Sequence, residues 1–165
     1  MRVPVFVSTI VALCTGAFIA SAEPALKTKD GEDLAFVIAI GALCDSQRAM
    51  QEYLDAHLAL DANADDLPAR ARIEQLAASR ECTIVSQEED VVVKTVVLKV
   101  TGEVARITAS GHRIVILKGE PVRVVTHGAI GDAIKPGTIY YALASADAFD
   151  LKTRGEAMKP DGTPI

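Results

Sequence analysis

The sequence predicts an α+β domain, with a two-helix hairpin packed on an antiparallel β-meander and one disulfide. Two observations predict this class. Between about residues 46 and 77, apolar side chains recur every three or four positions, as in amphipathic helices. From Thr83 onward, β-branched runs alternate with turn residues, as in short strands. The pattern leaves open whether the sheet curls into a small, partly open barrel.

Residues 1–22 have the pattern of a cleavable secretory signal peptide. Arg2 precedes an uncharged apolar run over residues 3–20, which ends in Ala20-Ser21-Ala22, the small-x-small pattern that signal peptidase recognises. We expect cleavage between Ala22 and Glu23, which leaves a periplasmic or secreted chain. An uncleaved membrane anchor is the alternative, and Pro4 within the run disfavours it.

The rest of the chain has the composition of one domain without membrane-spanning segments. Residues 23–33 are polar and predict a mobile N-terminal segment, residues 34–150 a single α+β domain, and residues 151–165 a disordered tail. The apolar run from Leu34 is too short to cross a bilayer, so we expect no stable membrane insertion after cleavage. From residue 23 onward there are 16 basic and 22 acidic residues, a net charge of −6, which argues against nucleic-acid binding.

Cleavage would remove Cys14 and leave two cysteines, Cys44 and Cys82, in an oxidising compartment. An even pair there predicts one disulfide. The alternative is a reactive thiol at Cys44, which precedes a predicted helix. No second cysteine stands near Cys44, as a thiol–disulfide oxidoreductase would require, so the disulfide is favoured.

The first half of the predicted domain contains one strand and two helices. The apolar run over residues 34–43 predicts a buried strand, with a helix as the competing interpretation. Asp45 is placed to cap a helix over residues 46–59, and Asp66 followed by Pro68 marks the start of a second helix. The two helices are expected to form an antiparallel hairpin.

The second half predicts a meander. After a short strand at residues 83–85, strands are expected at residues 91–100, 103–109, 112–118, 121–126 and 138–145. Thr101-Gly102 and Ser110-Gly111 are interpreted as two-residue hairpin turns. The first turn would place Leu98 opposite Ala105 and Val96 opposite Ile107. The second would place Ile107 opposite Ile114 and Ala105 opposite Ile116.

We find no catalytic motif, no cofactor fingerprint and no metal-ligand spacing in the sequence. His57, His112 and His127 fall on three separate predicted elements, and His57 lies on the apolar face of its helix. The acidic residues at Asp61–Asp66 lack the glycine and the terminal glutamate of a calcium loop, so capping and solvation explain them better. We therefore predict no catalytic residue, metal or cofactor.

Charge is segregated along the chain. Residues 23–90 carry six basic and fifteen acidic side chains, whereas residues 91–125 carry six basic and two acidic ones. In the predicted register, three cations share one sheet face: Lys99, Arg106 and Arg113. This basic trio is a candidate docking patch for an acidic envelope or secreted protein, and a solvated sheet face is the plainer alternative.

The element order resembles that of small exported proteins of alphaproteobacterial type that have no characterised activity. The resemblance covers about residues 34–145, from the first strand through Cys44-Asp45 and Cys82 to the meander, and it implies a fold but no activity. The sequence favours a non-catalytic binding or protein-interaction module of the periplasm or secreted fraction. The alternative is a small extracytoplasmic, hydrolase-like enzyme with a dispersed active site.

Overall fold

The computed structural model describes residues 23–127, 134–135, 137–159 and 161–165. The predicted signal peptide lies outside the described residues, as does most of the glycine-rich loop after β5. Within them, the chain forms six strands and three helices. In chain order these are β1 Ala35–Ile38, β2 Gly41–Cys44, α1 Gln47–Ala62, α2 Leu67–Ala78, β3 Cys82–Val85, β4 Val93–Ala109, β5 His112–Thr126, β6 Tyr140–Ser145 and α3 Ala146–Arg154. The predicted α+β class is confirmed.

The strand pairings form a closed cycle, β4–β5–β6–β2–β3–β4. β1 lies outside this cycle and pairs with residues 96–99 of β4. All of these pairings are antiparallel except the one between β3 and β4. Two of them are made through a single residue pair: Cys44 with Tyr141, and Val85 with Val93. Two of the strand pairings therefore consist of a single residue pair, and the Cys44–Tyr141 pair lies beside the candidate site described below.

The predicted disulfide is confirmed. Cys44 and Cys82 lie directly opposite each other in the β2–β3 pair, and their sulfur atoms are bonded at 2.06 Å. Both residues are buried. The bond closes the base of the helical hairpin formed by α1 and α2, because both helices lie between the two cysteines in the chain.

Both predicted helices are present, with one correction to a cap. Asp66 caps α2 as predicted: its carboxylate accepts a hydrogen bond from the Ala69 backbone N–H at 3.0 Å. The cap of α1 is Ser46 rather than Asp45, and its hydroxyl accepts a bond from the Ala49 N–H at 3.1 Å. Asp45 instead donates its backbone N–H to the carbonyl oxygen of Glu81, which holds it to the sheet.

The Ser110-Gly111 hairpin turn is confirmed, and the Thr101-Gly102 turn is wrong. Ser110 and Gly111 both have positive φ, at 50° and 75°, as a two-residue hairpin turn requires. Ile107 pairs with Ile114 and Ala105 with Ile116, as predicted. Thr101 and Gly102 instead lie inside the long strand β4.

Register shifts in the β4–β5 pair explain this error. Two of the four shifts fall between Val100 and Gly102 and between Glu103 and Ala105, and the strand continues through them without reversing. Leu98 consequently pairs with Pro121, and Val96 with Val124. The shifts also divide the apolar face that the sequence predicted as one. Val96, Leu98 and Val100 belong to one core cluster, and Ala105 and Ile107 pack against a second.

The apolar run over residues 34–43 forms two strands instead of the one predicted. The chain turns at Ala39 and Ile40, where Gly41 has a φ of 137° that favours glycine. β1 then pairs with β4, while β2 pairs with β3 and β6. The run thus supplies strands to two different parts of the sheet.

Ordered contacts lie at both predicted ends of the domain. The predicted boundary at residue 150 falls inside α3, which the sequence analysis did not foresee. At the other end, Leu26 donates its backbone N–H to Val100 and accepts one from Leu34, so the N-terminal segment lies along β4. The mobility predicted for residues 23–33 and the disorder predicted for the tail stay predictions.

Candidate functional site

A cleft of about 510 Å³ lies between α1, the strands β2 and β6, and the tip of the β4–β5 hairpin. A cavity of this size is in the range that binds small molecules or anchoring side chains. The cleft is lined by Ile38, Ile40, Gly41 and Ala42; by Tyr53, His57, Leu58 and Asp61 of α1; by Gly111, His112, Arg113 and Ile114; and by Leu143, Ala144, Ser145 and Asp147. Nine of these sixteen residues are apolar or glycine, and seven carry a polar or charged group.

The cleft opens where the pairing of β2 with β6 ends. Both strands lie wholly within the described residues, and they pair only through Cys44 and Tyr141. From that pair, β2 runs back to Ala42 and Gly41, and β6 runs forward to Leu143 and Ser145. Residues of both strands, among them Ala42 and Leu143, line the cleft. The Cys44–Tyr141 pair therefore lies two residues from the lining of the cleft along each strand.

The α1 wall carries an aromatic pair and an acidic residue. The rings of Tyr53 and His57 stack with centroids 5.9 Å apart and planes 7° from parallel. His57 Nε2 lies 3.8 Å from an oxygen of Asp61, one helical turn further on. Burial raises the pKa of Tyr53, which keeps its hydroxyl neutral. This wall offers a flat surface beside a carboxylate that is about half exposed.

The opposite wall is formed by the hairpin tip and the start of α3. Arg113 Nη1 contacts Asp147 Oδ1 at 2.5 Å, and Arg113 Nη2 lies 3.8 Å from Asp150. The Ser145 hydroxyl accepts a hydrogen bond from the Ala148 N–H as the cap of α3. The cation and the hydroxyl of this wall thus already have partners within the chain.

The structure brings two of the three histidines to one place. His57 and His112 both line the cleft, although they lie on a helix and at a hairpin tip that are far apart in sequence. His127 lies elsewhere, just after β5, where its backbone N–H donates to Val92. No group of three or more metal-ligating side chains occurs among the described residues. The sequence alone could not predict the shared cleft, because it depends on how the hairpin folds back against α1.

The basic trio lies against acidic side chains of the same chain. Arg106 makes a two-point ion pair with Asp150, with both N–O distances at 2.8 Å, and contacts Glu103 at 2.7 Å. Arg113 pairs with Asp147, and Lys99 lies 3.7 Å from Glu120. An acidic partner would have to compete with these carboxylates. Docking of such a partner at the trio stays a prediction.

Asp150 is the fully buried member of this group. It is 0% exposed and lies on α3 against the sheet. Arg106 lowers the pKa of Asp150 through its hydrogen bonds, against the opposing effect of burial. The Arg106 guanidinium also lies 5.9 Å over the Phe149 ring. These contacts attach α3 to β4 and so fix one wall of the cleft.

Comparisons with known proteins give no relative for this chain: no family model, no curated protein and no solved structure matches it. In the part of the chain that the structure describes, no helix is long and apolar enough to span a membrane.

Proposed function

We propose that this chain is an exported, non-catalytic binding module of the periplasm or secreted fraction, and that it binds its partner in the cleft. The observation that carries the proposal is the cleft itself, a cavity of about 510 Å³ lined by apolar residues together with polar and charged ones. Its Arg113 and Asp147 are paired with each other, which suits recognition better than proton transfer.

The proposed location rests on two features. One is the signal-peptide pattern of residues 1–22. The other is the Cys44–Cys82 bond, because such bonds persist in oxidising compartments. Mature protein starting at Glu23 is the form that would meet a partner.

The alternative is a small extracytoplasmic, hydrolase-like enzyme. One observation favours it: His57 lies near the carboxylate of Asp61 in the cleft, and an imidazole oriented by a carboxylate is part of a hydrolytic triad. Ser145, the one serine in the lining of the cleft, serves as a helix cap. Turnover of a model ester that is lost in His57→Ala, with binding retained, would favour the enzyme.

A capture experiment with matched variants tests the binding proposal. The full chain is expressed with export, purified in oxidised form, immobilised and exposed to an envelope extract. Ile40 is 81% exposed at the cleft rim, and Leu67 is 68% exposed at the start of α2, outside the cleft lining. Because both side chains are exposed, Ile40→Asp and Leu67→Asp should both fold.

We expect the wild type and Leu67→Asp to retain the same partner, and Ile40→Asp to lose most of it. Equal capture by all three proteins would contradict binding in the cleft. Failure of the wild type to capture any partner from either the envelope or the secreted fraction would contradict the binding proposal altogether.

A further inference from the structure

We propose that the cleft anchors an arginine side chain of a partner protein, flanked there by apolar residues, and that Asp61 is the carboxylate that pairs with its guanidinium. This inference rests on the proposed function and names the chemistry of the partner. Only side chains of the partner would enter the cleft, so the strand pairings of the sheet stay as they are.

Asp61 is the carboxylate of the cleft that has no permanent cation beside it. Among the described residues, its one ion-pair contact is His57 Nε2 at 3.8 Å, which is charged only when protonated. The other carboxylate of the lining, Asp147, contacts Arg113 at 2.5 Å. With neutral histidines, the lining therefore carries one uncompensated negative charge, at Asp61.

The position of Asp61 in its helix is also unfavourable. Asp61 stands in the last turn of α1, which contains no basic residue. The dipole of a helix disfavours a carboxylate at its C-terminal end and favours a cation there. A guanidinium beside Asp61 would offset both the unpaired charge and the helix dipole.

His57 favours arginine over lysine as the anchoring side chain. His57 and Asp61 both line the cleft, and each is about half exposed, so one bound side chain can reach both. The largely buried Tyr53 ring stacks on His57 and supports the imidazole. A guanidinium is planar and weakly hydrated, so it can stack on a flat ring while it donates two parallel hydrogen bonds to a carboxylate. The compact ammonium of lysine lacks this geometry.

The apolar part of the lining favours a protein partner over a free cation. A cavity of about 510 Å³ has room for more than one side chain. Leu58, Ile114 and Leu143 provide apolar surface within it, and Ile40 extends this surface at the rim, where it is 81% exposed. Exposed apolar surface beside polar residues is typical of protein-interaction sites. Apolar residues next to the arginine would cover this surface.

The surrounding charge favours the same partner. Residues 45–66, which contain α1, carry six acidic side chains and one basic one. A surface of one sign attracts a partner of the opposite sign and speeds its association. Arg113 on the opposite wall does not cancel this attraction, because it contacts Asp147, lies 3.8 Å from Asp150 and is only 15% exposed.

The test is an NMR titration of the full, exported and oxidised chain with four blocked probes. The first is the tripeptide isoleucine–arginine–isoleucine. The second has citrulline in place of arginine, which keeps the shape and removes the charge, and the third has lysine there. The fourth is N-acetylarginine amide. We expect the first to shift the amide signals of His57, Asp61 and Leu143 saturably and to bind about tenfold more tightly than the second, with the third and fourth also weaker.

Two variants separate a contact at Asp61 from a general effect of charge. Asp61→Asn should weaken the arginine tripeptide about tenfold and leave the citrulline tripeptide unchanged. The matched control is Asp65→Asn, which removes the same charge between α1 and α2, outside the cleft lining, and should leave both affinities unchanged.

Five results would each overturn the inference: no saturable binding of the arginine tripeptide, equal binding of the citrulline or the lysine tripeptide, equal binding of N-acetylarginine amide, or an equal effect of the two variants. Partner capture that Ile40→Asp abolishes and Asp61→Asn leaves intact would also overturn it, while the proposed function would stand. Equal capture by Ile40→Asp and the wild type would instead count against the proposed function.

Discussion

Replacing Cys44 and Cys82 together with alanine is expected to lower the free energy of unfolding by about 4 kcal/mol, the upper value for a loop of this length. The cysteines are 38 residues apart, and the bond limits the freedom of the whole α1–α2 segment in the unfolded chain. Urea unfolding followed by circular dichroism measures the loss.

The wild type in reducing agent serves as the matched control, since it loses the bond and keeps both side chains in the buried site. It should be destabilised by a similar amount. An unfolding free energy that is the same in oxidised and reduced protein would contradict the role given to the bond. So would two free thiols in the mass spectrum of the exported chain.

Replacing Arg106 with methionine is expected to cost about 3 kcal/mol, because the buried carboxylate of Asp150 loses its two hydrogen bonds and keeps only the more distant Arg113, at 3.8 Å. The double variant, with Asp150→Leu added, removes both charges and should recover most of the loss. If the two single changes simply added in the double variant, the ion pair would not be what couples α3 to β4.

The pH dependence of the wild type provides a second check on the same pair. Arg106 lowers the pKa of Asp150 below its ordinary value of 3.8, so the folded protein binds this proton more weakly than the unfolded one. The stabilisation is therefore present above that value and is lost as the pH falls through the folded-state pKa. We expect Arg106→Met to show a smaller loss of stability over this acid range than the wild type.

The features that the sequence predicted correctly have local signals. Asp66 before Pro68 marks the start of α2 within a few residues, and Ser110-Gly111 supplies the φ angles that its hairpin needs. The pairing of Cys44 with Cys82 follows because no other cysteine would remain after the predicted cleavage. In each case the residues that determine the feature are few or adjacent in the chain.

The features that the sequence missed depend on distant contacts, with one exception. The register shifts in β4 move apolar residues between two cores, and no local pattern marks them. The helix α3 is the exception, because its signals were present. Ser145 is a capping residue, Lys152 and Arg154 stand in the last turn, and Gly155 ends the helix with a φ of 83°.

The cleft could not be predicted, because its walls come from parts of the chain that only the fold brings together. His57 and His112 both line it, from α1 and from the β4–β5 hairpin tip, and β2 and β6 contribute Ala42 and Leu143. The sequence indicated the acidic character of residues 23–90, which contain α1.

Capture from the envelope and secreted fractions by the full oxidised chain tests the central claim, binding in the cleft, most directly. Ile40→Asp, at the rim of the cleft, should lose most of the partner that the wild type and Leu67→Asp retain. Equal capture by all three proteins would contradict the account.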